Sequence, residues 1–375
     1  MALTSERVSN YLRSRIEQGI FPGAQYAVGE AGRIVAEDAV GCAVITPERV
    51  AANLDTIYDL ASLTKPLVTA LLAVILAERG LLDLRAPLAD YLSEFDIEEK
   101  RHITLTHLLT HSSGLPAWHA LYHEKTLPEV VPAIARLPLE SRPDKDSPPH
   151  VVYGDLNYIL IGYVLERVTG DRLASIARRE IFEPLKLERT MFNPPPELKR
   201  ETAATELGRD YERQCVIEME KESPLDLAPA STNLVWGEVH DGNAHFLGGV
   251  SGHAGLFSTA REVFKIANQF LRESLLVSPR SLGLFRTNFT PGGESHRSLG
   301  WLLATTNDCS AGPRLSDLAF GHTGFTGTSV WIEPEPRRVL VLLTNRVHPK
   351  VGNVDMKEPR RGFNSVAVEE LASHL

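Results

Sequence analysis

The sequence predicts an α/β (α+β) protein: both chain ends build one central antiparallel sheet flanked by helices, and the middle of the chain forms a mostly helical insertion. Three observations carry that expectation. Apolar, β-branched stretches with turn residues between them lie near both termini, in AQYAVGEAGRIVAEDAVGCAV and in SLGWLLATT, TSVWIEP and RRVLVLLTN. From about Leu63 to Leu275 the period is mostly helical, with proline-rich crossings. The length of 375 residues, 43% hydrophobic and 23% charged, supports a sizeable core. The expected division is a sheet unit of residues 1–62 and 276–375 and a helical unit of residues 63–275, with a cleft between them.

The elements follow in order. Ser5 precedes an amphipathic run and caps a first surface helix. The hairpin after it breaks at Gly29–Gly32. The stretch DLASLTKPLVTALLAVILAERG, Asp59–Gly80, is almost wholly apolar from Leu67 to Ala77, which suits a helix buried on all sides and is too short to span a bilayer. VVYGDLNYILIGYVLERVTG reads as a second apolar helix, Leu156–Val168, stopped at Gly170. GGVSGHAGLF turns the chain tightly before a helix that starts near Thr259, and a helix over roughly Ser365–His374 closes the chain. Glu124–Pro149, with six prolines, and Asn193–Asn233, rich in charge, are long excursions that either cover a site or form plain surface.

A formal net charge of -9 with interspersed signs argues against nucleic acid or an anionic membrane as the main partner. Arg360–Arg361 reads as a solvated surface pair. Cys42, Cys215 and Cys309 form neither a disulfide framework nor a thiolate zinc site. The first residues lack the long apolar core of a signal peptide, so a soluble, cytoplasmic protein is expected.

Ser62 and Lys65 stand three positions apart at the mouth of the first apolar helix, a spacing that puts both side chains on one face. The amino end of a helix favours developing negative charge, and Pro66 is tolerated in a first turn. Burial weakens a lysine's hold on its proton. A lysine so placed is expected to take the serine's proton and make it a nucleophile. A capping serine followed by a surface lysine reads the same in four letters. Tyr153, Gly154 and Asp155 precede the second apolar helix, where a phenol and a carboxylate either enter a cleft or serve as core and cap. His322, Thr323 and Gly324 lead into a strand Thr328–Ile332, and three glycines within seven residues let this backbone approach a ligand. An exposed sheet edge there presents an N–H to a carbonyl oxygen.

Other patterns weigh less. His107 with His111, and His119 with His123, have the i, i+4 spacing of zinc helices. They lack the glutamate of HExxH and a third ligand, so no metal is expected. GGVSGHAGLF lacks the lysine of a phosphate loop and the spacing of a dinucleotide loop. For His240, Asp241 and His245 a surface loop is favoured over substrate contact.

Ser-x-x-Lys, Tyr-x-Asp and His-Thr-Gly, in that order, resemble the class C β-lactamase family of serine hydrolases, which includes penicillin-binding DD-peptidases and esterases. The likeness runs from about Pro22 to Pro349, and ITLTHLLTHSSGLP and LGGVSGHAGLFSTAREVFKIANQFL resemble family stretches too. The resemblance implies a β-lactamase/transpeptidase-like fold and no cofactor. It makes Ser62 the nucleophile of an acyl-enzyme, with Lys65 and Tyr153 sharing general acid and base work. It implies an oxyanion hole from the backbone N–H groups of Ser62 and Phe325. Asp155, His322, Thr323 and Gly324 then face a small ester, amide or β-lactam-like substrate, with His322 orienting Tyr153 or that substrate.

Two departures matter. The family's β-lactamases usually have lysine where this chain has His322, which weakens recognition of a substrate carboxylate and leaves room for uncharged acyl donors. Asp155 stands where asparagine or serine is commoner. A carboxylate beside Lys65 favours its ammonium form and shifts the base role toward Tyr153. The expectation is therefore an esterase-like serine hydrolase. A DD-peptidase or β-lactamase, and a non-catalytic binder with the same fold, are the rivals. Oligomeric state stays open.

Overall fold

A computed structural model describes residues 5–124, 126–143, 148–219 and 232–373. Its strands are β1 Gly23–Glu30, β2 Arg33–Val44, β3 Val50–Ala51, β4 Tyr58–Asp59, β5 Met191–Phe192, β6 Leu256–Ser258, β7 Leu302–Leu303, β8 Phe320–Thr323, β9 Ser329–Glu333 and β10 Arg338–Thr344. Seven of them form one antiparallel sheet in the order β3-β2-β1-β10-β9-β8-β7. The two chain ends meet at its centre, where Ala24 of β1 pairs with Thr344 of β10 and Glu30 with Arg338. A second sheet, β4-β6-β5, is small; β5 and β6 lie within the region expected to be helical and β4 just ahead of it.

The helices that matter below are α1 Glu6–Glu17, α2 Ala61–Glu78, α3 Asp155–Thr169, α4 Asp210–Met219, α5 Ala260–Ala267 and α6 Lys357–Ser373. Ser5 caps α1 through its side chain, and Thr259 caps α5 in the same way. The last helix begins eight residues earlier than its expected start at Ser365, because Lys357–Asn364 already packs its apolar residues inward. The strand expected at Thr328–Ile332 runs one residue later.

The apolar run of β10 is explained by burial on both faces. Leu340 and Leu342 pack with Val8 and Leu12 of α1 and with Phe363, Ala367 and Leu371 of α6. Val339, Val341 and Leu343 face the larger core, which holds Val263 and Phe264 of α5 and Leu67, Val68 and Leu71 of α2. By length and hydropathy Ala61–Glu78 could cross a bilayer, but 83% of its 18 residues are buried inside the protein, which makes it the core helix. α2 begins as a 3-10 turn at Ala61–Leu63 and widens to a π turn over Lys65–Ala70 before becoming regular. Such widening removes the strict i, i+4 stacking where Lys65 must turn away from the core.

Candidate active site

Ser62 is presented by a tight corner. Ala61 has φ +48°, a left-handed conformation uncommon for a residue with a side chain. Asp59 holds it: Oδ1 accepts from the Ala61 N–H and Oδ2 from the His240 N–H, each at 2.8 Å. Thr326 Oγ1 donates to the Asp59 carbonyl at 2.8 Å and Thr328 Oγ1 to the Leu60 carbonyl at 3.1 Å. The turn after β8 is thus fastened to the residues just before Ser62. Only glycine fits at 324, since a Cβ there would sit 2.5 Å from the Leu60 carbonyl oxygen and 2.2 Å from Thr328 Oγ1.

Lys65 is fully buried one turn on. Its Nζ donates to Ser62 Oγ at 2.8 Å, to Asp155 Oδ1 at 2.7 Å and to the His253 carbonyl at 3.2 Å. Three acceptors match the three protons of an ammonium group. Burial works against that charge, but Asp155 and Tyr153 outweigh it, and Lys65 holds its proton more tightly than a free lysine. Of the two expectations for Lys65, the desolvated, neutral amine gives way to the ammonium form that the acidic departure at 155 pointed to.

Asp155 is the first residue of α3; Gly154, not Asp155, is its cap. Gly154 lets the chain run against Ala117, where a Cβ would lie 2.6 Å from the Ala117 Cα, and Asp155 N–H donates to the Ala117 carbonyl at 2.8 Å. This close approach aims Tyr153 into the cleft and Asp155 at Lys65. The Tyr153 ring centre lies 5.3 Å from Lys65 Nζ and 5.2 Å from the Arg297 guanidinium. His111 and His322 pack on the same ring at 4.6 and 5.6 Å.

Both histidines are neutral, because burial and then the charges of Arg297 and Lys65 hold them well below the usual histidine range. His111 Nδ1 accepts from the Gly154 N–H at 3.2 Å, and His107 Nδ1 from the Thr104 N–H at 3.1 Å, so both serve the chain itself. His322 Nδ1 donates to the Thr323 carbonyl at 2.8 Å, so it supplies packing against Tyr153 and no fixed charge. At the end of β8 the edge is open: β7 pairs with Phe320 and Gly321, leaving His322 and Thr323 uncovered on that side. The Phe325 N–H makes no hydrogen bond among the described residues.

A cleft of about 550 Å³ joins these parts. Ser62, Tyr153, Asp155, Thr323, Gly324 and Phe325 line it, and Lys65 lies beneath. His240 and Asp241 line it as well, which corrects their assignment to a surface loop; His245 stays largely exposed. They are drawn in because Asp59 binds the His240 N–H and Glu206 binds the His240 ring at 2.9 Å. Arg360, expected in solvent, is also part of the wall. Of the excursion at 193–233, the described helix α4 contributes Tyr211, Glu212 and Cys215, while residues 220–231 lie outside the described residues.

One group has a metal-like arrangement: carboxylate oxygens of Asp155 and Asp241 and a ring nitrogen of His253 lie within 4.8 Å of one another. The Lys65 ammonium already binds Asp155, and His253 Nε2 lies 2.8 Å from Asp241, so the ligand atoms of the cluster are already engaged with one another and with Lys65. It does not fit a metal ion. Sequence reasoning missed Asp59, Arg297 and the His253–Asp241 pair as parts of the site. The first stands three residues before Ser62, but the others reach the site only through tertiary contacts.

Comparisons with known proteins agree with this architecture. The Beta-lactamase family description matches residues 8–362. An Escherichia coli O157:H7 protein with the provisional name D-alanyl-D-alanine carboxypeptidase is 30% identical over 92% of this chain and 83% of its own length. The N-acetylmuramyl-L-alanine amidase of Bacillus subtilis (strain 168) is 30% identical over 88% of this chain and 78% of its own. Two solved structures share the fold at 20% identity. EstCE1, a hydrolase with promiscuous acyltransferase activity, has a TM-score of 0.74 and covers 97% of this chain and 98% of its own. A beta-lactamase from Sulfitobacter sp. EE-36 has a TM-score of 0.69 and covers both chains fully. With a match over nearly its whole length, this chain belongs to the Beta-lactamase family of serine hydrolases.

Proposed function

We propose that this protein cleaves a small ester or amide by acyl transfer through Ser62, with water as the final acceptor. The observation that carries the reading is the Lys65 ammonium, bonded at once to Ser62 Oγ and Asp155 at the floor of the cleft. A lysine already protonated there cannot start the reaction as base. Tyr153, reacting as its phenolate, takes the Ser62 proton and becomes the neutral phenol; Lys65 and Arg297, which flank its ring, favour the anionic form before that transfer. The Ser62 oxygen attacks the carbonyl, whose oxygen is received by the N–H groups of Ser62 and Phe325. Tyr153 returns the proton to the leaving group, and water then repeats the cycle on the acyl-enzyme.

The relatives' names favour one bond class within this reading. A carboxypeptidase of D-alanyl-D-alanine and an amidase of N-acetylmuramyl-L-alanine both act at an amide next to alanine. The test is turnover of four compounds side by side: a short aryl ester, a chromogenic cephalosporin, N-acetylmuramyl-L-alanine and an acylated D-Ala-D-Ala peptide. The ester and at least one alanine amide are expected to turn over, and Ser62→Ala to lose about a thousandfold or more in kcat. Folded protein that turns over none of the four overturns the proposal.

A further inference from the structure

We propose that His240, oriented by Glu206, is the general base for the water that frees the acyl group from Ser62. The inference rests on the Ser62 acyl-enzyme of the proposed function and divides its two halves: Tyr153 serves the attack of Ser62, and His240 serves the attack of water. His240 is the one histidine among the residues that line the cleft. Its backbone N–H donates to Asp59 Oδ2 at 2.8 Å, its carbonyl accepts from the Arg209 guanidinium, and its Nε2 lies 2.9 Å from Glu206 Oε2. Nδ1 is left over. It has no hydrogen-bond partner among the described residues, yet it is not sealed off as the unpartnered ring nitrogens of His111 and His322 are, so it opens on the cleft. His253 and His348 are buried too, but each has both ring nitrogens engaged.

Glu206 is buried, and its Oε1 accepts from the Tyr211 N–H at 3.0 Å, which anchors the carboxylate on the first turn of α4. A carboxylate only accepts, so a ring with one proton carries it on Nε2 and presents the lone pair of Nδ1. Glu206 thereby fixes both tautomer and orientation, the part a carboxylate plays behind the histidine of a catalytic triad. The ring is tied to both groups that hold the reacting carbonyl. It stacks on Phe325, with centres 5.7 Å apart and planes at 21°, and the Asp59 carboxylate that takes the His240 N–H takes the Ala61 N–H beside Ser62 with its other oxygen. Ser62 gives up its proton while bonded to the Lys65 ammonium, which steadies the oxygen it becomes; water attacks without that bond and gains most from a base of its own. In the step, the water oxygen bonds to the acyl carbon and its proton passes to Nδ1. The bond from that carbon to Ser62 Oγ then breaks, Oγ takes a proton from Lys65 Nζ, and the proton on His240 returns to Lys65 through cleft water.

Stopped-flow hydrolysis of para-nitrophenyl acetate separates the two halves, because the burst of nitrophenol reads acylation and the steady rate reads deacylation. It is run on wild type, His240→Gln and Glu206→Gln, each checked for folding by urea melts. Both variants are expected to keep the burst, to lose about a hundredfold or more in the steady rate, and to accumulate acetyl on Ser62 by mass mapping. Glu206→Gln acts because an amide can donate to Nε2 and so hold the ring proton on Nδ1. Hydroxylamine, a nucleophile that needs no base, is expected to restore turnover of both variants by releasing the hydroxamate, which a loss of structure would not allow. A variant that deacylates at the wild-type rate overturns the assignment, as does one whose burst and steady rate fall together without rescue. If His240→Gln fails to fold, His240→Asn and Glu206→Gln carry the same test. Acetyl that never appears on Ser62, wild type included, sinks the Ser62 reading and this one with it. Acetyl that forms on Ser62 and clears equally fast in every form sinks the role of His240 alone.

Discussion

At Lys65 two opposing effects meet, and the winner sets the mechanism. Full burial disfavours an ammonium group, whereas a carboxylate at 2.7 Å and a neighbouring phenol favour it. The attraction wins, so the folded protein keeps the lysine charged. Asp155→Asn removes the first of those attractions and leaves burial in place, so Lys65 releases its proton at lower pH. Activity that needs the ammonium then fades at lower pH as well. The alkaline limb of kcat/KM is expected to move down, with a loss of about a hundredfold at the wild-type optimum, the lower range for a positioned acid–base group. A pH–rate profile checks this, and an alkaline limb left in place counts against it. Ser62, Lys65 and Tyr153 were legible because each sits in a short pattern at a helix entrance. The sign of the Lys65 shift was half legible, since YGD showed the carboxylate but not the balance between attraction and burial.

At the scale of elements, the site depends on fastening the start of α2 to the turn after β8. Asp59 does this from a position 3% exposed, with both carboxylate oxygens and its carbonyl each accepting a hydrogen bond at 2.8 Å. Asp59→Asn keeps an acceptor for one N–H but turns an NH2 group toward another donor. The expected cost is about 1–3 kcal/mol of stability, as for one buried unsatisfied polar group. The expected kinetic effect is a fall in kcat larger than any rise in KM, because the corner sets the geometry of attack more than ground-state binding. Urea melts and steady-state kinetics measure the two together. A variant that loses stability with kcat intact would make Asp59 purely structural. The sequence could not show this fastening, since Asp59 reads as one more residue before an apolar run and its partners lie 181 and 267 positions away.

Over the whole molecule, the sheet is the frame and the cleft is its consequence. The strands at both chain ends were legible from alternation and from turn residues, and the closing of the sheet between β1 and β10 follows from their shared apolar character. The small sheet β4-β6-β5 was not, because strands of two or three residues carry no period. Nor was the place of Arg360, since a pair of arginines ahead of a helix looks like solvated surface until α6 is docked against the sheet. What the frame achieves is convergence: Ser62 and Lys65 from α2, Tyr153 just ahead of α3 and Asp155 at its first position, and Gly324 and Phe325 after β8 reach one cleft from three parts of the chain. The most direct test of that convergence is labelling with a fluorophosphonate followed by mass mapping of the adduct. The account predicts one adduct per chain, on Ser62, and much slower labelling in Tyr153→Phe. Folded protein that stays unlabelled while a control esterase reacts, or that carries its adduct on another residue, would contradict it.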